Sequence, residues 1–92
     1  IYTTAQLKRA NADAGYYFFS PSTMRFFNSR VCNGIKHTND GLVFITSERF
    51  DDNTPRMYTI RLMRDDGSTD EIGEFQQYPT LYQARKAVDA IE

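Results

Sequence analysis

Hydrophobic and polar positions alternate with two different periods along this chain of 92 residues. In residues 4–14 the apolar side chains of Leu7, Ala10 and Ala14 recur every three or four positions, as in an amphipathic helix. Thr3 and Gln6 have the spacing of a capping box, and Gly15 stands where a helix C-terminus favours glycine. The pattern therefore predicts a first helix over residues 4–14.

The C-terminal part of the chain has the same kind of pattern. Pro79 precedes Thr80, and Thr80 with Gln83 forms a second capping box. A second amphipathic helix is therefore predicted to begin after Thr80. Its apolar stripe consists of Leu81, Ala84, Val88 and Ile91.

Between the helices the apolar positions alternate, as in strands. Turn-forming residues occupy positions 38–41, 51–55 and 65–68. They separate four predicted strands, of which the first three span residues 31–37, 42–46 and 57–64. In the last hairpin we prefer a three-residue loop, which sets Leu62 opposite Ile72 and Arg64 opposite Asp70. An alternative two-residue loop at Asp66 and Gly67 would set Leu62 opposite Glu71.

These elements predict a single α+β domain over residues 1–92. Its order is an N-terminal helix, an aromatic turn segment, a four-stranded antiparallel meander and a C-terminal helix. Because an antiparallel sheet can leave one face in water, we expect both helices on one face of the sheet.

The aromatic turn segment, residues 16–27, reads YYFFSPSTMRFF and holds six of the thirteen Phe and Tyr residues. Residues 16–19 are predicted to be extended, with successive rings on opposite sides. Ser20 is a suitable N-cap for a short helix that begins at Pro21, and Asn28 and Ser29 end that helix. The rings are needed for the core of so small a domain. Some of them are equally suited to an exposed binding surface.

Charge is distributed unevenly along the chain. Residues 25–64 carry seven basic and four acidic side chains, whereas residues 65–92 carry two basic and seven acidic ones, within a total net charge of −1. We expect the acidic section to pair with the basic middle, so that Asp70 and Glu71 lie beside the strand of Arg61 and Arg64. A net charge this small gives no overall attraction to nucleic acid or to an anionic membrane.

Other features of the composition bear on the environment of the protein. No apolar run approaches the roughly 20 residues of a membrane span, so no membrane association is predicted. Cys32 is the only cysteine and has no partner for an internal disulfide. A lone cysteine favours a reducing cytoplasm over secretion.

The residues suited to catalysis are few. Cys32 and His37 are the only cysteine and histidine, and five positions along a regular strand place them on opposite faces of the sheet. No spacing of ligands for zinc or calcium is present, and no phosphate-binding or dinucleotide motif occurs. We therefore predict no catalytic residues, no metal and no cofactor, and expect that the protein is not an enzyme.

Two binding functions are open. Interface centres are enriched in aromatic residues and arginine, which favours a protein-interaction domain, as a monomer or a homodimer. The candidate residues for that interface are Tyr17, Arg25, Phe26, Arg30, Arg49 and Arg61. The alternative is a single-stranded nucleic-acid-binding domain, because aromatic rings beside arginines can stack bases. It would use the same aromatics with Arg25, Arg30, Lys36, Arg49 and Arg61.

Three stretches together are similar to a family of small proteins of unknown function carried by bacteriophages and other mobile elements. They are TTAQLKRANADAGYYFFSPSTMRFFNSRV, VFITSERFDDNTPRMYTIR and IGEFQQYPTLYQARKAV, and they cover most of the chain. The resemblance implies no site residues. It implies a context, since small phage-borne accessory proteins often bind and block a host protein in the bacterial cytoplasm, as anti-defence inhibitors do. The partner expected from it is a host or phage protein.

Overall fold

A computed structural model describes residues 4–26 and 28–91. Three helices and four strands follow one another along the chain, and the strands form one antiparallel sheet in the order β1-β2-β3-β4. The predicted α+β class and the predicted order of elements are confirmed. The elements are α1 (Thr4–Asp13), α2 (Pro21–Phe26), β1 (Arg30–Thr38), β2 (Gly41–Glu48), β3 (Met57–Met63), β4 (Thr69–Ile72) and α3 (Leu81–Asp89).

The two short N-terminal helices end in the same way. Gly15 has a φ of +88°, and its N–H and that of Tyr16 donate to carbonyls in the last turn of α1. Asn28 has a φ of +50°, and its N–H and that of Ser29 donate to the carbonyls of α2 in the same pattern. Both are Schellman motifs, in which a left-handed residue lets the chain turn back over the helix end. The predicted end of the first helix at glycine is confirmed.

Hydroxyl caps begin two of the helices as predicted. The Oγ of Ser20 accepts from the backbone N–H of Thr23 at 3.2 Å at the start of α2. The Oγ1 of Thr80 accepts from the N–H of Gln83 at 3.2 Å at the start of α3. Each side chain satisfies one of the donors that a helix N-terminus leaves free. The predicted cap at Thr3 lies outside the described residues.

The two terminal helices lie on opposite faces of the sheet, so the expectation that both share one face is wrong. Helix α3 packs Ala84 and Val88 against Val43, Ile45 and neighbouring side chains of β2 and β3. On the other face, Leu7 of α1 packs against Leu42, Phe44 and Met63, together with Phe18 and Phe19. Every residue from Leu42 to Glu48 is consequently buried. Phe18 and Phe19 of the aromatic segment thus cover part of the sheet face that was predicted to be exposed to water.

The aromatic segment does not alternate as predicted for an extended strand. Phe18 and Phe19 are neighbours in sequence, yet both rings contact the buried ring of Phe44, at centroid distances of 6.2 and 5.8 Å. Residues 18–20 form a turn, which brings both rings to the same side. Tyr17 is therefore left facing solvent, and its side chain is 78% exposed.

The β3–β4 hairpin has a register two residues away from the preferred one. Ile60, not Leu62, lies opposite Ile72, and Leu62 lies opposite Asp70. A shift of two residues keeps every side chain on its predicted face, because side chains alternate with period two. The predicted charge pairing is confirmed: Arg64 contacts Asp70 at 3.0 Å, and Arg61 lies 3.7 Å from Glu71.

Two contacts fix the helices to the sheet. The carbonyl of Gly67, in the β3–β4 turn, accepts from Nδ2 of the buried Asn11 of α1 at 2.8 Å. On the opposite face, Nζ of Lys36 in β1 donates to three carbonyls at the end of α3, including those of Val88 at 3.4 Å and Asp89 at 3.2 Å. A cation at this position also complements the helix dipole.

Candidate functional site

An apolar groove lies between α2, the C-terminal end of β2 and the middle of β3. Its volume is about 430 Å³, and it is open to solvent. Rings and a thioether form its walls, and a charged pair forms its floor. We call it the aromatic groove and define it by Phe18, Met24, Phe26, Glu48, Arg61 and Phe75.

The floor of the aromatic groove is a buried ion pair. Arg61 is 9% exposed and Glu48 is 1% exposed. Nη2 of Arg61 donates to Oε1 of Glu48 at 3.2 Å, and Nε donates to the hydroxyl of Thr46 at 2.8 Å. The alternation of the two strands explains this pairing, because positions 44, 46 and 48 share a face with positions 61, 59 and 57.

The carboxylate of Glu48 has further partners besides the arginine. It accepts from the hydroxyls of Thr46 at 2.5 Å and Thr59 at 3.0 Å. The hydroxyl of Thr59 in turn accepts from the backbone N–H of Gln76 at 2.8 Å, and Nε2 of Gln76 donates to the carbonyl of Glu48 at 3.0 Å. These bonds attach the loop after β4 to the sheet and so position the neighbouring Phe75 over the groove.

Two phenylalanine rings flank the guanidinium group of Arg61. Its Cζ lies 4.8 Å from the ring centroid of Phe18 and 5.8 Å from that of Phe75. A delocalised cation between aromatic faces is stabilised by the ring quadrupoles. Both rings line the aromatic groove together with residues of α2.

Three exposed rings, those of Phe26, Tyr16 and Tyr17, line cavities beside α2. Phe26, in the last turn of α2, lines the aromatic groove and is 74% exposed. Tyr17 lines a second cavity of about 460 Å³ on the other side of the α2 N-terminus, with Tyr16, Phe19 and Pro21. The aromatic segment is thus divided between core and surface. Phe27 lies outside the described residues.

The residues predicted for an interface have different environments. Tyr17, Arg25, Phe26 and Arg30 are exposed, and Arg49 is half-buried. Arg61 is buried in the floor of the groove. Sequence reasoning missed its partner, because Glu48 was counted only as a charge. The available signal was the alternation of Thr46 and Glu48 at the end of β2, which places both on the same sheet face as Thr59 and Arg61.

The structure brings two of the predicted arginines together and adds a third. Arg30, Arg49 and Arg56 meet at the end of the sheet, around Ser47 and Asn28. We call these three residues the arginine cluster. Arg56 was missed because it lies seven residues from Arg49 across a polar loop, and only the pairing of β1, β2 and β3 makes the three neighbours.

Cys32 and His37 lie on opposite faces of the sheet, as predicted from their spacing. Cys32 is paired with Ile45 and packs with the α3 side of the core, whereas His37 is paired with Leu42 on the α1 side. In the described part of the chain, no group of three or more His, Cys, Asp or Glu side chains could hold a metal ion. Within residues 4–26 and 28–91, no helix has the length and apolar character needed to cross a membrane.

The fold and the groove define a class: a small α+β domain in which a four-stranded antiparallel meander carries helices on both faces and an open apolar groove at one end. Within that class, the chain belongs to a family of unknown function (DUF7447), whose model matches residues 3–89. The predicted resemblance to a family of unknown function is thereby confirmed. No curated protein and no solved structure is significantly similar to the chain.

Proposed function

We propose that this protein is a small non-catalytic interaction domain that binds a partner protein through the aromatic groove and the exposed rings beside it. In this proposal it is a phage accessory factor in the bacterial cytoplasm that binds and modulates a host protein, as an anti-defence inhibitor does. The phage context comes from the sequence resemblance alone.

The observation that carries the proposal is the position of Phe26 at the rim of a preformed apolar groove. Phe26 is 74% exposed at the end of a short helix that has no buried residue, so its ring stands at the surface beside the groove. Interface hot spots are typically aromatic residues beside pockets that a partner desolvates. The floor is fixed by hydrogen bonds before any partner arrives, which lowers the cost of ordering on binding.

Affinity capture from a nuclease-treated bacterial lysate, followed by calorimetry with the captured protein, tests the proposal. Truncating a central anchor typically costs 2 kcal/mol or more, so Phe26→Ala should weaken binding about 30-fold or more. Tyr82→Ala is the matched control, because Tyr82 is 73% exposed on α3, on the opposite face of the sheet. Equal binding by both variants would contradict the proposed surface.

Single-stranded nucleic acid is the second candidate, favoured by the exposed rings of Tyr16 and Tyr17, since aromatic side chains stack on bases. Three of the five basic residues proposed for it are already engaged within the fold, among them Arg49, which contacts Asp52. Lys36 bonds the end of α3, and Arg61 bonds Glu48. Fewer free cations mean fewer counterions released on binding a phosphate backbone, which weakens this alternative.

A salt titration separates the two candidates. Nucleic-acid binding should weaken steeply as salt rises, in proportion to the number of phosphates contacted. An interface dominated by apolar burial should change little over the same range. A fluorescence polarisation titration with labelled oligothymidine at several salt concentrations makes the comparison. Tight, steeply salt-dependent binding would favour the nucleic-acid function over the protein-binding one.

A further inference from the structure

Three guanidinium groups converge at the end of the sheet nearest the aromatic groove. Nη1 of Arg56 donates to the carbonyl of Ser47 at 3.1 Å and to its hydroxyl at 2.7 Å. Arg30 lies directly opposite Ser47 in the β1–β2 register, so its side chain leaves the sheet on the same face as the hydroxyl. Arg30 and Arg56 therefore flank the same serine.

Arg49 joins them through Asn28. With its amide oriented so that both ends are satisfied, Asn28 accepts through Oδ1 from Nη2 of Arg49 and from Nη2 of Arg56, each at 3.3 Å. Because both bond the same oxygen at 3.3 Å, Nη2 of Arg49 and Nη2 of Arg56 are separated by at most twice that distance. Like charges at this separation repel each other unless a counter-charge lies between them.

The fold supplies little counter-charge. Among the residues that the structure describes, Asp52 is the one carboxylate within 4.0 Å of the cluster, and it contacts Arg49 at 3.2 Å from a fully solvated position. Burial, together with the positive charges of Arg30 and Arg49, holds the pKa of Arg56 below its usual range. Three cations with one loosely held anion form a site with unused hydrogen-bond donors that favours a further anion.

We propose that Arg30, Arg49 and Arg56 form an oxyanion-binding site that receives the carboxylates of an acidic segment in the partner protein. The identity of that partner rests on the proposed function, whereas the oxyanion site itself does not. Guanidinium groups bind carboxylates in a bidentate fashion, which gives direction as well as attraction.

The cluster and the aromatic groove lie at the same end of the sheet, but the side chains of Ser47 and Glu48 point to opposite faces of β2. A segment that passes around this end can reach both sites, which favours a protein as the source of the oxyanion. Glu48 in the groove floor is followed directly by Arg49, and Ser29, which also lines the groove, is followed directly by Arg30. An extended segment advances about 3.3 Å per residue, so an apolar side chain in the groove and acidic side chains a few residues away can bind together. The cluster has only three arginines, which can pair with the few carboxylates of a short segment but with only a small part of a long nucleic-acid backbone.

The first experiment tests the oxyanion site with sulfate. Sodium sulfate is titrated into the labelled protein at constant ionic strength, with chloride as the balancing salt, while NMR follows backbone amides and the arginine Nε–H signals. Saturable shifts are expected at residues 28–30, 47–49 and 56, and Arg56→Gln should weaken sulfate binding about tenfold. Arg64→Gln removes the same charge at the other end of β3 and should leave sulfate binding unchanged.

Absence of a saturable response at the cluster would overturn the site, as would equal sulfate binding by Arg56→Gln. Because Arg56 also bonds Ser47, its replacement can reduce stability. Arg30→Gln repeats the test at an exposed side chain with no such role, and it should weaken sulfate binding severalfold. Unchanged sulfate binding by Arg30→Gln would remove Arg30 from the site.

The second experiment identifies the source of the oxyanion. The probes are a fluorescent 12-residue peptide, with a central Phe flanked by Asp and Glu, and an oligothymidine of the same net charge. The peptide should compete with sulfate and lose affinity with both Phe26→Ala and Arg56→Gln. Tighter binding of the oligothymidine at the cluster would overturn the assignment to an acidic protein segment.

The same measurements separate failure of this inference from failure of the proposed function. Peptide binding that depends on Phe26 but not on Arg56 would overturn the arginine site and support the groove. Sulfate binding at the cluster, combined with peptide binding that is indifferent to Phe26, would support the arginine site and contradict the groove.

Discussion

Replacing Arg61 with methionine tests the buried ion pair that forms the floor of the aromatic groove. Methionine keeps much of the aliphatic stem but removes the charge and the donor to Thr46. Glu48 would then remain 1% exposed, with two hydroxyl donors and no cation. Removing one partner of a buried pair typically costs about 3–5 kcal/mol, because the other charge stays buried. Loss of the flanking ring contacts places the expected cost near the upper half of that range.

Urea denaturation followed by circular dichroism measures this cost. A domain of this length has a free energy of unfolding of about 5–14 kcal/mol. With a slope of about 1–2 kcal/mol per molar urea, a loss of about 4 kcal/mol lowers the midpoint by roughly 2–4 M. Arg64→Met is the matched control, because Arg64 pairs with Asp70 at the surface. Its loss should cost less than about 1 kcal/mol.

A double variant decides whether the cost comes from the unpaired charge. Adding Glu48→Gln to Arg61→Met removes the stranded carboxylate and should recover most of the lost stability, to within about 2 kcal/mol of the wild type. The reasoning fails if Arg61→Met costs no more than Arg64→Met. It also fails if the double variant is less stable than Arg61→Met alone.

Three further predictions concern the packing of the helices and the acid stability. Gly67→Ala should lower the free energy of unfolding by about 2–3 kcal/mol, since Gly67 has a φ of +86° and an added Cβ would lie 2.4 Å from the Cβ of Ala14, the residue that follows α1. Gly15→Ala, at φ +88° with no atom within 4 Å of an added Cβ, should cost only about 1 kcal/mol in the same urea titration; equal costs would refute the clash. Lys36→Met should cost about 1 kcal/mol and speed hydrogen exchange at the end of α3, whereas Lys86→Met on the exposed side of that helix should not. A hydrogen bond from Arg64 holds the pKa of Asp70 in the folded protein below its usual range. The stabilisation from the ionised carboxylate is therefore complete above the pKa of the unfolded chain, about 4, and is lost as the pH falls through the pKa of the folded protein. Asp70→Asn should therefore flatten the dependence of the urea midpoint on pH below 4, and an unchanged profile would refute the assignment.

The helices, strands and caps of this fold were predictable because they depend on neighbours in sequence. Thr80 caps α3 and Gly15 ends α1 for reasons that need only three or four adjacent residues. The register of the last hairpin was not predictable in this way. Pairing Leu62 with Ile72 maximises local hydrophobic contact, yet the sheet pairs Ile72 with Ile60, in a hairpin whose last bond joins the N–H of Arg64 to the carbonyl of Ser68 around the left-handed Gly67.

The sequence did indicate that the helices cover both faces of the sheet. We did not use this indication, because we expected a sheet with one face in water. Residues 42–45 are four consecutive apolar side chains, a run typical of a strand covered on both faces. Strict alternation would have indicated one wet face. The cover on the second face comes from Leu7, Phe18 and Phe19, which also decides which rings of the aromatic segment remain exposed.

The candidate site was predictable in composition but not in geometry. Tyr17 and Phe26 are exposed, as an interface requires, but the role of Arg61 depends on Glu48, thirteen residues earlier and on the adjacent strand. Arg56 joins Arg30 and Arg49 only through the pairing of three strands. Local sequence patterns cannot reveal that these residues are neighbours, because the register between adjacent strands brings them together.

The ion pair also explains how so small a domain keeps a groove open. An apolar pair of similar volume is often as stable as a buried ion pair, or more stable, so stability alone does not account for Glu48 and Arg61. The guanidinium group, however, contacts the rings of both Phe18 and Phe75 and is itself held by hydrogen bonds, so we expect it to keep the rings from closing over the floor. The Arg61→Met, Glu48→Gln double variant separates these two roles, because it should fold yet allow the rings to collapse. Loss of partner binding in this folded variant would show that the charged floor maintains the shape of the groove, whereas unchanged affinity would mean that the exposed rings bind without it.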